Sequence, residues 1–302
     1  MILIVGATGR LGGHVARELL GKQHAVRVMT RDPVRAARLA AAGAEVVRGD
    51  LRDPESLRAA TRCVRAVVSA SHSMLGAGRN SSARVDDDGQ RALIAASKQA
   101  GISHFVFTSV LGASPSHPVD FWRTKERIER HLQSSGLRYT IVRPSAFMEI
   151  YAWDLIGKAV ATGKRVMLFG PGTNPRNYVA AADVGRVVVL ALEDLRLRER
   201  TIDIGGPENL SAHQVVETFE RVTGKKARVG HVPLPVLRVM SGILKPAHPG
   251  VARILRSSIV GETTDQKFDP GALLAEFPVE LTPLENWART RVDSAGGGVG
   301  NG

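Results

Sequence analysis

Three glycines near the start of the chain, Gly6, Gly9 and Gly12, are spaced in a pattern suited to binding a diphosphate. They follow the apolar, β-branched run Ile2–Val5, which is typical of a buried strand, and a helix with apolar residues at helical spacing begins at Leu11. Backbone N–H groups and the dipole at a helix start attract phosphate. Gly6 would make the tight turn, Gly9 would let the backbone approach the phosphates, and Gly12 would let helix and strand pack closely. We therefore predict a dinucleotide site, with an ordinary turn between strand and helix as the alternative.

The end of the second predicted strand, Ala25–Met29, indicates which nicotinamide dinucleotide is bound. An acidic residue here would accept hydrogen bonds from the ribose 2′-hydroxyl of NAD(H), whereas arginine holds a 2′-phosphate through a planar fork. Arg31 occupies this position, Arg35 follows closely, and Arg10 in the glycine turn could join them. Asp32 precedes a proline and is interpreted as a turn or helix-cap residue. The sequence thus favours NADP(H), and Asp32 leaves NAD(H) as an alternative.

Acidic residues at two further positions have competing interpretations. Asp50 follows the third predicted strand, where it would either accept a hydrogen bond from the adenine amino group or cap the helix that begins at Pro54. The run 86–88 consists of three aspartates before another helix. We interpret these aspartates as first-turn residues that match the helix dipole, in preference to a metal site.

Alternating strand and helix patterns predict a doubly wound, Rossmann-type α/β fold with a parallel sheet. We expect a nucleotide-binding core over residues 1–147 and a smaller α/β substrate or partner lobe over residues 148–292. A helix at 183–192 and a strand at 201–204 are expected to return to the core sheet. The glycine-rich end, 293–302, is predicted to be disordered.

The composition is that of a soluble globular protein. Of 302 residues, 43% are hydrophobic and 23% are charged. No apolar run reaches about 18 residues, so no membrane span is expected. Met1 leads straight into the first predicted strand and its glycine turn, so no signal peptide is expected, and we predict a cytoplasmic protein. A single cysteine, Cys63, excludes an internal disulfide and a cysteine-based metal cluster. The net charge of +12 comes from basic residues spread along the chain, which favours compositional bias over specific nucleic-acid binding, with an anionic ligand as the alternative.

Motifs spread over nearly the whole chain resemble those of a known family. Besides the glycine turn, these motifs are the segments 88–90, 107–109, 125–126, 135–144, 177–184 and 205–211. Together they resemble the atypical short-chain dehydrogenase/reductase superfamily, and most closely its NmrA-like branch, which implies a Rossmann fold that binds NAD(P). The candidate cofactor-binding residues are Gly6, Ala7, Thr8, Gly9, Arg10, Leu11, Gly12, Arg31, Asp50, Leu51, Ala70, Ser71, Lys125 and Pro144.

The resemblance also implies a catalytic helix, with one departure. In the superfamily this helix carries a Tyr-x-x-x-Lys pair, whose lysine binds the nicotinamide ribose and lowers the pKa of the tyrosine that exchanges a proton with the substrate. Here Phe121 occupies the tyrosine position and has no proton to give, while Lys125 is kept. Ser109 keeps a hydroxyl that could polarise a carbonyl, and His72 follows a strand end and has an ordinary pKa near neutrality. Lys125, Ser109 and His72 are therefore the candidate catalytic residues, against an exposed helix lysine and a structural histidine as alternatives.

Large apolar residues lie in sequence around the expected substrate pocket: Phe121, Trp122, Phe147, Met148 and Tyr151. Some should belong to the core, and any that line the site favour an aromatic or quinone-like substrate over a phosphorylated sugar. We expect an NADP(H)-binding oxidoreductase that transfers hydride from NADPH to a small apolar quinone or carbonyl acceptor. The alternative is a non-catalytic NADP(H)-sensing regulator that binds a protein partner, as the resemblance to the NmrA-like branch allows. A sugar-nucleotide enzyme is less favoured because of Phe121.

Overall fold

The computed structural model describes residues 1–296, with side chains described to residue 294, and the chain divides into two compact units. The first unit comprises Met1–Pro144 and Val184–Asp203, and the second comprises Ser145–Asp183 and the chain from Ile204 onward. The sequence places the first boundary slightly later, after residue 147. Within the described part of the chain, no helix is both long and apolar enough to cross a membrane.

A seven-stranded sheet forms the centre of the first unit. Its strands are β1 (Ile2–Val5), β2 (Val26–Thr30), β3 (Glu45–Arg48), β4 (Ala66–Ser69), β5 (His104–Thr108), β6 (Tyr139–Pro144) and β10 (Arg200–Ile204). Their spatial order is β3-β2-β1-β4-β5-β6-β10, and neighbours from β3 to β6 all pair in parallel. The apolar strands β1, β4 and β5 are buried along their whole length, as the centre of a parallel sheet requires. The strand order reverses between β1 and β4, which is the ligand-binding point of this fold class.

Helices connect the strands of the first unit. They are α1 (Arg10–Gly21), α2 (Ala37–Ala41), α3 (Pro54–Thr61), α4 (Gly89–Gln99), α5 (Asp120–Gln133) and most of α7 (Ala181–Glu193). A π-helical turn, Ala83–Asp88, leads directly into α4. Apolar residues at helical spacing give α1 a buried stripe of Leu11, Val15 and Leu19, so its sequence pattern predicts its packing correctly.

The second unit contains two small sheets and the remaining helices. Its elements are β7 (Ala146–Phe147), α6 (Lys158–Ala161), β8 (Val166–Phe169), β9 (Arg176–Val179), β11 (Asn209–Leu210), α8 (Ala212–Thr223), β12 (Val229–Val232), α9 (Leu234–Leu244), α10 (Pro249–Thr263), α11 (Gly271–Glu276) and α12 (Leu284–Gly296). A π-helical stretch, Met148–Gly157, runs directly into α6. The core of this unit includes Trp153 and Phe219, whose ring centroids are 5.9 Å apart.

The final described helix, α12, extends into the segment that the sequence predicts to be disordered. Residues 293–296 continue the helix, and the Ser294 hydroxyl donates to the Thr290 carbonyl at 2.8 Å, a bond that helical geometry permits. The rest of that prediction, residues 297–302, lies outside the described residues.

Candidate functional site

The glycine turn follows β1 at the point where the strand order reverses. Gly6 has a φ of +93°, and a Cβ atom there would lie 2.8 Å from both the Ala70 carbonyl carbon and the Ser71 nitrogen. A Cβ atom on Gly12 would lie 2.4 Å from the Gly6 carbonyl oxygen. Both positions therefore require glycine, the first for its left-handed backbone and the second for the close packing of α1 on the turn.

The start of α1 is suited to an anionic group. Gly9 is the N-cap residue and has no side chain to cap the helix, and the first turn contains no acidic residue. The first intrahelical bond runs from the Gly13 amide to the Gly9 carbonyl at 2.9 Å. The amides of residues 10–12 come before this bond in the chain, at the N-terminal end of the helix where backbone N–H groups lack intrahelical acceptors. Arg10 is exposed at this end. Together with the two tight glycines, these groups fit the diphosphate of a dinucleotide.

Arg31 and Asp32 follow β2 and have different surroundings. The Asp32 carboxylate accepts a hydrogen bond from the Val34 amide at 3.1 Å and caps a short 3-10 helix, so its interpretation as a cap residue is confirmed. Arg31 is exposed, and its Nη1 donates to the Asn80 side-chain oxygen at 3.1 Å. A contact between Arg31 and a 2′-phosphate stays a prediction.

Asp50 follows β3 and is held by a neighbouring arginine. It accepts hydrogen bonds from the backbone amide and from Nε of Arg52, both at 2.9 Å, and the side-chain bonds from Arg52 lower the pKa of Asp50. The cap of α3 is Asp53, so the capping alternative for Asp50 is wrong. Asp50 and Leu51 line a cavity of about 630 Å³ that reaches Gly89 at the start of α4. Their contact with adenine remains a prediction.

Gln90 fixes the end of β4 against the glycine turn, a role that the sequence analysis did not assign. Its fully buried side chain accepts from the Ser69 hydroxyl at 2.7 Å and donates to the Ser71 hydroxyl at 3.1 Å. This holds Ala70 and Ser71 where Gly6 approaches them most closely. The available signal was the position of Gln90 in one of the segments that resemble the NmrA-like branch.

Lys125 lies on α5 and is buried, with only 3% of its surface exposed. Its Nζ donates to the Thr108 carbonyl at 2.9 Å and lies 5.6 Å from the centroid of the Phe121 ring. The alternative of an exposed helix lysine is therefore wrong. Burial lowers the pKa of Lys125, while the negative charges of Asp86 and Glu129 oppose that change.

Two hydroxyl groups lie at the end of β5, beside the carbonyl that Lys125 contacts. The hydroxyls of Thr108 and Ser109 are buried, and within the described residues neither has a hydrogen-bond partner. The Ser109 backbone is fixed, because its amide donates to the Val142 carbonyl at 2.8 Å. Unpartnered buried hydroxyls are uncommon in folded proteins and mark a place where a polar ligand group could bind.

His72 lies beyond β4, with its ring centroid 6.0 Å from that of Phe121 in an edge-to-face arrangement. Its Nδ1 faces the Met74 amide at 3.4 Å, which favours a proton on Nε2 in the neutral ring. The ring is accessible to solvent but closely surrounded by protein, and this desolvation lowers the pKa of His72. The charge of Lys125 acts in the same direction and Asp86 opposes it. His72 is therefore neutral at neutral pH.

The aspartates 86–88 differ from one another and do not form the first turn of α4, so that interpretation is wrong. They belong to the preceding π-helical turn. Asp88 is exposed, whereas Asp87 pairs with Arg91 at 2.7 Å and also with Arg127. Asp86 has no exposed surface and accepts two hydrogen bonds from the loop before the turn.

Two of the residues predicted to line the substrate pocket belong to the first unit. Phe121 is buried, with 6% of its surface exposed. Trp122 is half-buried, stacks on His117 with centroids 4.9 Å apart, and donates from Nε1 to the Leu111 carbonyl at 3.0 Å. The Leu111 amide donates in turn to the Pro144 carbonyl at the end of β6, at 2.9 Å. Trp122 thus anchors the loop after β5.

The other three predicted pocket residues belong to the second unit. Met148 is 1% exposed and lies in the apolar core of that unit. Phe147 and Tyr151 are half-buried, and the Arg176 guanidinium lies 5.0 Å from the centroid of the Tyr151 ring. A substrate pocket formed by these residues stays a prediction.

The sequence model of the NmrA-like family matches residues 1–282 of this chain. The chain belongs to this family. Photosystem II assembly factor Ycf39 of Synechocystis sp. is 32% identical over 95% of this chain and 89% of its own, and an NAD(P)H azoreductase of Xenophilus azovorans is 30% identical over 82% of each. An NADPH-dependent quinone oxidoreductase of Escherichia coli, solved with NADPH, gives a TM-score of 0.78 at 24% identity, covering 96% of this chain and 99% of that one. Triphenylmethane reductase of Citrobacter sp., solved with NADP(H), gives 0.77 at 20% identity, covering 97% and 100%.

These comparisons confirm the family and the Rossmann-type fold that the sequence predicts. The structural likeness shows the fold, since both solved proteins are less than 25% identical to this chain. The NmrA-like relatives include a reductase that uses NAD(P)H and an assembly factor. The predicted NADP(H) cofactor agrees with the two solved neighbours, which hold NADPH or NADP(H).

Proposed function

We propose that this protein is a cytoplasmic NADPH-dependent reductase that transfers hydride to a small apolar quinone or carbonyl acceptor. The observation that supports this most is the buried Lys125 ammonium, which donates to the Thr108 carbonyl, together with the unpartnered buried hydroxyls of Thr108 and Ser109. Burying a cation, or a hydroxyl without a hydrogen-bond partner, costs stability, and groups of this kind are concentrated at functional sites. The glycine turn follows β1 and these groups end β5, and carboxyl ends of parallel strands meet at one edge of a sheet.

Each residue of this group has a role that its chemistry permits. NADPH, when bound, supplies the hydride. Lys125 would bind the nicotinamide ribose and favour the negative charge that develops on the acceptor oxygen, and Ser109 would donate a hydrogen bond to that oxygen. The neutral His72 ring presents Nε2–H as a further donor. A quinone that accepts hydride becomes a weakly basic hydroquinone anion, so turnover does not need the dedicated proton donor that Phe121 cannot supply.

The choice of NADP(H) rests on arginine at the end of β2. Arg31 is exposed there and Arg10 is exposed at the start of α1, while Asp32 is occupied by its capping bond. Two exposed guanidinium groups, with Oδ1 of Asp32 already engaged by the Val34 amide, favour a 2′-phosphate over a 2′-hydroxyl. The NADPH and NADP(H) held by the two solved neighbours support the same choice.

The test combines cofactor titrations with an acceptor panel on one sample. NADPH should bind more tightly than NADH, and quinones, enones or azo dyes should accelerate NADPH oxidation. Lys125→Met should lower kcat/KM by about 100-fold, as removal of a main electrostatic group does. Lys98→Met, at an exposed lysine of α4, should leave it unchanged. Protein that binds NADPH but oxidises it no faster with any acceptor would refute the reductase proposal.

The second candidate is a non-catalytic NADP(H) sensor that binds a protein partner. Phe121 supports it, because the residue has no proton to exchange, and so does the similarity to an assembly factor. In this case affinity for the partner should differ between the NADP⁺ and NADPH forms. Pulldowns that recover the same proteins equally with both forms would count against it.

A further inference from the structure

Asp86 is a buried carboxylate that connects two ends of one loop. Its Oδ1 accepts from the Ser73 amide at 2.8 Å and its Oδ2 accepts from the Ser82 hydroxyl at 2.6 Å. Ser73 and Ser82 lie at the start and end of the 73–82 loop, between β4 and the π-helical turn. Asp86 has no exposed surface; its bond to Ser82 is buried and its bond to the Ser73 amide is partly buried. The carboxylate therefore fixes the loop at both ends.

The loop that Asp86 fixes begins directly after His72. The Ser73 N–H that donates to Asp86 belongs to the peptide bond between His72 and Ser73. The backbone position of His72 therefore depends on the hydrogen bond to Asp86. From this position the His72 ring meets the Phe121 ring edge to face. The π-helical turn that carries Asp86 also packs on α5, the helix of Phe121 and Lys125.

Asp86 is also the negative charge that acts on both basic groups of the site. His72 is influenced by Lys125 from α5 and by Asp86 from the π-helical turn, and Lys125 is influenced by Asp86 and by Glu129 on its own helix. Glu129 is itself paired with Arg143. The charge of Asp86 therefore acts on the pKa values of both His72 and Lys125.

We propose that Asp86 is a positioning residue of the reduction site: it fixes the loop that presents His72 beside Phe121, and its charge balances Lys125. This inference rests on the proposed reductase function, which gives His72 and Lys125 their roles. The attachment of the loop and the charge of the carboxylate are separable, because an asparagine can keep the hydrogen bonds and lose the charge.

Two variants separate these effects without requiring turnover. Asp86→Asn keeps an oxygen for the Ser73 amide and should keep the NOE between the His72 and Phe121 rings. It should lower the midpoint of the His72 NMR titration, because a negative charge that favours the charged ring is lost. Asp86→Ala should abolish the NOE, and His72→Gln identifies the signal. Asp88→Asn, at an exposed position, should change neither measurement. An unchanged midpoint in Asp86→Asn, or an NOE that survives Asp86→Ala, would overturn the proposal.

Kinetics then distinguish failure of this proposal from failure of the reductase proposal. With a quinone that the wild type reduces, the inflection of the kcat/KM profile that follows His72 protonation should move down in Asp86→Asn by the amount seen for the His72 midpoint. A profile that stays in place while the midpoint moves would show that Asp86 does not act through His72 in the reaction. A wild type that reduces no acceptor would refute the reductase proposal alone, and the NMR result would still decide whether Asp86 positions His72.

Discussion

Gly12→Ala is the sharpest test of the glycine turn, because the three atoms nearest to the added Cβ all belong to the backbone. The added Cβ would lie 2.4 Å from the Gly6 oxygen, 2.7 Å from the Gly6 carbonyl carbon and 2.9 Å from the Ala7 Cα. Ordinary contact begins at 3.4 Å, so the turn must move by 3.4 − 2.4 = 1.0 Å relative to α1. Overpacking of this kind costs about 1–3 kcal/mol of stability.

The same displacement should weaken cofactor binding. If two amide bonds to phosphate are lost at about 1.5 kcal/mol each, the total of about 3 kcal/mol corresponds to roughly a 100-fold higher Kd for NADPH. Fluorescence titration measures this Kd, and urea unfolding measures the loss of stability. We expect both changes in the same variant, since one shift of the turn causes them.

Gly21→Ala is the matched control at the other end of α1. No atom lies within 4 Å of a Cβ at Gly21, so the substitution should leave the Kd unchanged and raise stability by about 0.5–1 kcal/mol. A Gly12→Ala protein that binds NADPH with the wild-type Kd would refute the assignment of this turn to the diphosphate.

Three further predictions follow from single side chains. Arg31→Ala should reduce the preference for NADPH over NADH by about 10- to 100-fold, which is the contribution of a charge-assisted hydrogen bond. Arg38→Ala on α2 should leave this preference unchanged. Measuring the Kd of both cofactors for each variant tests the prediction. Burial lowers the pKa of His104 to about 4 from 6.5, so its neutral form stabilises the fold above pH 6.5, and this contribution is lost as the pH falls toward 4. Urea unfolding should show a loss of about 2 kcal/mol between pH 6.5 and about pH 5 that is absent in His104→Gln. Phe121→Tyr should restore a proton donor near Lys125 and create alcohol dehydrogenase activity with NADP⁺, and an inactive but folded variant would contradict that reading of the site.

Local patterns were sufficient to predict the central sheet and the glycine turn. The strand Ile2–Val5, the glycines and the apolar stripe of α1 are neighbours in sequence, so their chemistry predicts their structure directly. The roles suggested for Lys125 and Ser109 came from a family resemblance, and the structure adds their burial beside Thr108.

Contacts between distant segments were not predictable in this way. Asp50 and Asp53 both precede a helix, and only the backbone geometry shows that Asp53 is its cap. Gln90 reaches back to β4, and Asp86 reaches back to Ser73, across loops whose course the sequence does not specify. The sequence could place these residues on helices but could not identify their partners.

The π-helical turn Ala83–Asp88 makes the site sensitive to the length of the chain as well as to its residue types. Successive residues of a helix project from different sides of its axis, so deleting one residue here would bring a different side chain to the inward position of Asp86. Because three aspartates stand side by side, an alignment of relatives that slips by one position would still match acid with acid. Relatives should therefore be compared by which carboxylate is buried, since a one-residue deletion could remove the internal charge and leave the local composition almost unchanged.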